Sequence, residues 1–530
     1  MKNTILLICI LLLGLWLRVY NLNFPSIGYH NMKENESLSI AQEMTRTKDF
    51  LRKRVYFFNA FQKDPVVKDD PQPPLVSYQI LLAWRLFGEN LWSARLFNVL
   101  FAMLGIVVMY LAGLRLFQDK RLALFGAFLL TIMPLAVFFS RNLQPEIPAF
   151  FFMLLGHLFY LRFIDTRKLY NLLMGGLAMV LAWAYKFEFI IGLLPFVFCL
   201  PYKSLSADRK GILKFLFAAL VPFLAMLGII ACIRLWGLGT FRYTFKPFEV
   251  LTPSYWKAHG SMILWYTVGE NFTFPLSLLA TWGVLFSFFM HKSFLDRYLI
   301  GWVTAALIYV MLFSSDLAQN SYAQLPFSAA VAFSCIHVIS FISREIKGLP
   351  KHQILIALMI GVGLFSIFPV YYSLSRMYTT VFLGQDVAGE TLKEFSTPEE
   401  RLFLFSHAQG YGIARYAHRY AGWARSLEEF KEKEKEYGVR LVCIYPGEYV
   451  EFLKKAHPSI FEYIESHYRI KEVGLQEFPS RLGYLILERG PTTGKKIGDV
   501  LKSLSGKIQP RSIYKILGKY IFYYAMRPTS

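Results

Sequence analysis

The sequence predicts an all-α polytopic membrane protein of about eleven transmembrane helices with a small α/β domain outside the membrane. Three observations carry this expectation. Of the 530 residues, 55% are hydrophobic and 17% aromatic, with a mean hydropathy of +0.39, too apolar for a soluble globular chain. Apolar runs of spanning length recur up to residue 373, separated by short charged loops. Beyond residue 374 short β-rich runs alternate with charged helical stretches.

The first apolar run, Thr4 to Leu17, follows Lys2 and has the length of a signal-peptide core. It lacks a small-residue cleavage site and continues into WLRVYNLNF, which makes it a retained helix. Spans are expected near 3–20, 94–116, 121–139, 147–164, 169–185, 188–202, 213–234, 272–290, 298–314, 323–343 and 353–373. The loops QDKR (118–121), DTRK (165–168), KSLSADRKGILK (203–214), HKSFLDR (291–297) and SREIKGLPKHQ (343–353) then share one side. Basic loops mark the cytoplasmic side, so the amino terminus is expected in the cytoplasm of a plasma or inner membrane. The same rule accounts for the net charge of +21, which in a soluble chain would suggest nucleic acid. No nucleic-acid partner is expected.

The outer side receives 21–93, 140–146, the turn at 185–188, 235–271, 315–322 and everything after about 374. Loop 21–93 is too long for a simple connector. It holds GYHNMKENESLSIAQEM (28–44), where charge gathers beside an amphipathic pattern of Leu38, Ile40, Ala41 and Met44. After Pro73 and Pro74 comes Leu75 to Phe87, too short to span and expected as an interfacial helix. The aromatics Trp236, Tyr243, Tyr255, Trp256 and Trp265 read as an interfacial belt in preference to sugar-stacking residues.

In the outer domain, 401–406, 440–445 and 483–488 read as strands, and 426–438 and 446–456 as helices. The last forty residues, rich in Lys and Arg, read either as a basic amphipathic helix on anionic lipid or as a solvated tail. The domain boundaries follow: 1–373 for the helical domain with its first outer loop 21–93, 374–490 for the outer α/β domain, and 491–530 for the tail. Five single cysteines, four in apolar runs, give neither a disulfide nor a cysteine metal site. SHAQGYGIAR lacks the strand–glycine–helix frame of a nucleotide loop.

The polar residues that stand out all fall on the outer side. They are His30, Lys33, Glu34 and Glu36 in the first loop, Arg141 and Glu146 in SRNLQPE, Lys186 and Glu188 in YKFE, and Asn320, Tyr322 and Gln324 in QNSYAQLP. Each alone has a bland role as an anchor or snorkelling side chain. Together they share one depth, as an interfacial cavity requires. Arg141 and Lys186 suit a phosphate, and a neighbouring carboxylate suits a base on a hydroxyl or a divalent-metal ligand. These groups point to a lipid-phosphate donor and a hydroxyl or amine acceptor.

Several segments resemble the membrane glycosyltransferases of the C-type fold, which include protein O-mannosyltransferases, the lipid A aminoarabinose transferase and bacterial family 39 relatives. PPLVSYQILLAWRLFGENLWSARLFNVLFAMLGIVVMY is similar to that group's PPL…Y…LFG…ARL block. FFSRNLQPEIPAFFFML, AWAYKFEFIIGLLP, NSYAQLP and KENESLSIAQEM resemble its other outer-loop segments. The resemblance implies that Glu36 or Glu34 is the first-loop acid near the acceptor, that Glu146 is the second-loop acid, and that Lys186 contacts lipid phosphate after the arginine at Arg141. His30, Lys33, Asn320, Tyr322 and Gln324 are then candidate substrate contacts. Both acids are Glu where the family commonly has Asp, so each carboxylate reaches one methylene further.

The expected function is transfer of a hexosyl or pentosyl unit from a polyprenyl-phosphate donor to a glycan, lipid or protein acceptor at the outer face, with inversion. No cofactor is required by the sequence beyond a possible divalent cation. Two other classes compete. A transporter or flippase would place ionisable groups near the bilayer midplane in repeated halves. A scaffold would use the outer domain only to bind a partner.

Overall fold

The computed structural model describes residues 2–67, 70–200, 209–239, 249–290, 293–346, 350–406, 409–477, 480–491, 497–498 and 506–528. Tyr243, Lys495, Lys496, Asp499, Lys502 and parts of the charged loops 203–214, 291–297 and 343–353 lie outside the described residues. Contacts divide the chain into a helical unit, residues 1–23 and 69–375, and an α/β unit, residues 24–68 and 376–530. The first outer loop was expected with the helices; its larger part packs with the carboxyl-terminal residues.

In the helical unit most expected spans fall on helices, and the expected span 188–202 holds the 3-10 helix Phe187–Leu193 and the short helix Leu194–Phe198. Seven described helices are long and apolar enough to cross a membrane: Leu91–Phe117, Glu146–Thr166, Ala218–Leu235, Thr273–Met290, Phe294–Leu312, Ser321–Glu345 and Lys351–Thr379. Shorter apolar helices occupy Asn3–Val19, Leu75–Phe87, Leu169–Tyr185 and Phe187–Phe198. The chain is an integral membrane protein. Close packing uses small residues, as expected where lipid supplies no hydrophobic drive. A Cβ on Gly283 would overlap the Ser334 carbonyl, so helix Thr273–Met290 meets Ser328–Glu345 backbone to backbone.

The expected span 121–139 is two helices, Lys120–Ile132 and Pro134–Phe139. Pro134 has no N–H, so the Leu130 carbonyl loses its helical donor. Arg18, only 1% exposed, supplies one: Nη2 donates to Leu130 O at 3.4 Å and Nη1 to Thr131 O at 3.1 Å. Two more arginines hold the end of the first helix, Lys2–Val19, where carbonyls are left without intrahelical donors. Arg141 Nη1 donates to Tyr20 O and Asn21 O at 3.2 and 2.8 Å, and Arg95 Nη1 to Leu22 O at 2.7 Å.

The α/β unit has one seven-stranded sheet in the order β2-β1-β3-β5-β4-β7-β6. Its strands are β1 Leu402–Phe405, β2 Ala421–Gly422, β3 Leu441–Ile444, β4 Tyr468–Gln476, β5 Arg481–Arg489, β6 Gly506–Ile516 and β7 Lys519–Pro528. β1 runs parallel to β2 and β3; the remaining pairs are antiparallel. Strand residues alternate between two cores. Leu402, Leu404, Leu441 and Cys443 face helices Gln385–Phe395 and Gly410–Ala417. Phe403, Phe405, Val442 and Ile444 face helices Leu427–Tyr437, Tyr449–Ala456 and Pro458–His467. The sheet is therefore covered on both faces, which is why β1 and β3 read as unbroken apolar runs.

Within the expected basic tail, residues 506–528 form the β6–β7 hairpin. Leu517 and Gly518 turn it with φ of +46° and +82°, a pair of positive values that matches strand twist. Buried Glu472 ties the hairpin to the sheet. Its Oε1 accepts from Tyr484 and Thr391 at 2.7 and 2.9 Å, and its Oε2 from Arg527 and Arg511 at 2.9 and 3.0 Å. Residues 24–68 join the same unit through a Gly28–Val381 bridge and a Phe57–Ala421 bridge, with Ala421 N donating to Tyr56 O at 2.7 Å.

Candidate functional site

The predicted site residues divide between the two units. Arg141, Glu146, Lys186, Asn320, Tyr322 and Gln324 belong to the helical unit, and His30, Lys33, Glu34 and Glu36 to the α/β unit.

In the helical unit, Asn98 from helix Leu91–Phe117 grips the loop that precedes Glu146. Its Nδ2 donates to Asn142 O at 2.5 Å and to Gln144 O at 3.0 Å. Glu146 thereby opens helix Glu146–Thr166, where the free N–H groups favour an acid. Lys186 sits at the extended residue between helix Leu169–Tyr185 and the 3-10 helix Phe187–Leu193. Its Nζ lies 3.3 Å from Glu188 Oε1 and 3.6 Å from Glu146 Oε1. Both carboxylates are almost fully buried, and the lysine keeps 18% of its side chain exposed. A small pocket gathers Glu146, Lys186, Glu188, Tyr309, Asp316 and Tyr322.

Glu188, Asp316 and Tyr309 were given no role from sequence. The two acids were visible at outer span ends in YKFE and SSDLAQ, but nothing local brings 188 and 316 together. Arg141 is engaged with the carbonyls at the end of the first helix. Gln324 accepts from Asn271 Nδ2 at 3.0 Å and donates to Thr267 Oγ1 at 2.9 Å, beside the π-helix Trp265–Asn271. Asn320 precedes the 3-10 helix Ser321–Phe327 and is half-buried. The first 3-10 helix has two faces. Lys186, Glu188 and Phe189 line the polar pocket, while Ile190 and Leu193 line an apolar groove of about 530 Å³ with Met179, Phe196, Pro222 and Met226.

In the α/β unit, His30 has a left-handed backbone, φ +53°, and caps helix Asn31–Thr47. Burial pushes its imidazole pKa down to about 4. Glu34 is 3% exposed and accepts from Ser26 Oγ at 2.6 Å. Glu36 is more open and pairs with Lys33 at 2.8 Å. Asn31 Nδ2 donates to Gln385 Oε1 at 2.8 Å, and Asn35 Oδ1 accepts from Arg415 Nε at 2.9 Å. The inward face of this helix is thus polar and hydrogen-bonded to helices of the α/β unit, which satisfies groups costly to bury alone. Among the described residues no group of three His, Cys, Asp or Glu side chains is placed to hold a metal ion.

A polytopic helical unit followed by an α/β unit is a fold shared with solved C-type membrane glycosyltransferases. The family model described as dolichyl-phosphate-mannose-protein mannosyltransferase matches residues 71–236, all in the helical unit. The chain is similar in fold to ArnT from Cupriavidus metallidurans in the apo state, with a TM-score of 0.56 and 14% identity over 93% of this chain and 100% of that one. ArnT bound to undecaprenyl phosphate gives 0.52 and 14% over 92% and 99%. A variant of the arabinofuranosyltransferase AftD from Mycobacteria gives 0.53 and 10% over 92% of this chain and 41% of that one. No curated protein matches by sequence. The resemblance drawn from the sequence holds for the fold.

Proposed function

We propose that the protein transfers a sugar from a polyprenyl-phosphate donor to an acceptor hydroxyl or amine at the outer membrane face. The observation that supports this most is the 3-10 helix Phe187–Leu193, with an acid–lysine pocket on one side and an apolar groove on the other. A lipid-linked sugar has both characters: an apolar chain for the groove and a phosphate for Lys186. Lys186 binds that phosphate by exchanging carboxylate partners, since Glu146 and Glu188 already share its charge.

Glu36 acts as the base. It takes the proton from the acceptor as the acceptor atom bonds to the anomeric carbon. The bond from that carbon to the phosphate oxygen breaks, its electron pair leaves with the phosphate, and the configuration inverts. Glu36 is preferred to Glu34 because its side chain is 13% exposed while Glu34 is 3% exposed. Arg141 is assigned a positioning role through Tyr20 and Asn21 instead of a phosphate contact. His30 and Lys33 are assigned to the acceptor, and Tyr322 lines the acid–lysine pocket.

The test is release of polyprenyl phosphate from a labelled lipid-linked sugar by the purified protein with an acceptor extract. Release that disappears in Lys186→Ala and Glu36→Ala supports the assignment. Full release by Glu36→Ala removes it.

A further inference from the structure

The α/β unit contains a pocket of about 260 Å³ that none of the residues assigned above lines. It is lined by Phe57, Phe58, Phe405, Ser406, Trp423 and Ala424 with Tyr449 and His457 at its rim. Its position follows from topology. Phe405 and Ser406 end β1, Trp423 and Ala424 directly follow β2, and Tyr449 lies just beyond β3. These are the carboxyl ends of the three parallel-paired strands. The chain leaves β1 toward β2 on one side and leaves β3 toward the antiparallel strands on the other. Such a switch point opens a crevice, and doubly wound sheets bind ligands there.

Two features show that the crevice does more than fill a core. Phe58 holds φ at +75°, a left-handed conformation that strains a bulky residue by about 1–3 kcal/mol. The ring so placed is 46% exposed, so burial returns little for that strain. It stands edge-on to Trp423 at 4.9 Å between centroids and tilted against Tyr411 at 5.2 Å, with Phe57 behind at 5.6 Å from Trp423. The strain serves to present an aromatic wall to solvent.

The lining selects the ligand. No Asp, Glu, Lys or Arg lines the pocket among the described residues, so a phosphate or a charged peptide finds no counter-charge. Aromatic faces opposite hydroxyl and imidazole groups suit a ring with an apolar C–H face and hydroxyl edges. The volume lies just under the roughly 300–1,000 Å³ of pockets for drug-sized ligands, as suits a single ring-sized unit. We propose that this pocket binds a pyranose unit of a neutral glycan by stacking on Trp423 and Phe58, whether or not the protein catalyses transfer.

The experiment is isothermal titration of the full-length protein, in a detergent without sugar headgroups, with maltotetraose, cellotetraose, laminaritetraose and α-mannotetraose. Saturable binding of at least one is expected, weakened about tenfold by Trp423→Ala and by Phe58→Asn. Because Asn tolerates the left-handed region, Phe58→Asn should melt no lower than the parent, which separates loss of binding from loss of fold. No saturable binding of any of the four up to about 10 mM overturns the proposal, as does undiminished affinity in both variants. Binding of a Trp-rich neutral peptide in place of all four sugars overturns it too.

Discussion

Lys186 Nζ stands 3.3 Å from Glu188 Oε1, two residues along the chain, at the start of a 3-10 helix. Glu146 and Asp316 join them in one pocket, so three acids face one ammonium. A phosphate entering that pocket meets repulsion as well as attraction. Glu146→Gln should therefore tighten undecaprenyl phosphate binding about tenfold while lowering turnover if Glu146 is also catalytic. Lys186→Ala should weaken binding instead. Titration of the lipid phosphate beside a turnover assay separates the two effects.

Glu34 and Glu36 are two residues apart and differ in burial and partner. Removing the Ser26 donor to the buried Glu34 carboxylate, in Ser26→Ala, should cost about 1–3 kcal/mol of stability. Glu36→Gln should leave the melting temperature unchanged and reduce transfer about a hundredfold or more. A melting curve and a rate for each variant check the division. A Glu36→Gln protein that melts early but transfers normally would reverse it.

Acid should weaken the α/β unit through His418, whose pKa burial and the charges of Lys393, Arg415 and Arg419 push down to about 4. The folded state then holds fewer protons than the unfolded state between about pH 6.5 and 4. Stability contributed by the neutral ring is complete above that window and falls as pH drops through it. His418 closes helix Gly410–Ala417 with φ +52°, a conformation Asn accepts. His418→Asn should flatten the melting temperature across that range, read by near-UV circular dichroism.

Arg18 and Pro134 form a compensating pair. Arg18→Met should cost about 1–3 kcal/mol by leaving the Leu130 and Thr131 carbonyls short of donors. Pro134→Ala restores an N–H four residues beyond Leu130. The double variant should therefore be more stable than additivity predicts, by about 1 kcal/mol in unfolding from detergent.

What could be read from the sequence follows the range of the interactions. Most expected spans are helical because an apolar run is a local signal. Strands β1, β3 and β5 announced themselves as apolar runs for the same reason. The break at Pro134 was hidden because its remedy, Arg18, lies more than a hundred residues away. The tail misled because Ile513, Ile516 and Phe522 fit a helical face as well as a strand, and its turn uses Leu517 where an Asn would have signalled one. In the site, the Lys186–Glu188 pair was adjacent in sequence and legible. Asp316 was not, and the Arg141 contacts to Tyr20 and Asn21 were hidden because a guanidinium looks the same whether it serves a phosphate or a helix end.

The α/β unit is built from two pieces of chain separated by some 300 residues. Residues 24–68 leave the ribosome well before Gln385, Arg415 and Ala421, which satisfy Asn31, Asn35 and Tyr56. At about 5–20 residues per second, the segment carrying Glu34 and Glu36 waits on the order of tens of seconds for its partners. A ribosome that stalls before residue 376 leaves that helix without its docking surface. Synthesis of residues 385–421 is thus the event that supplies the helix with its partners.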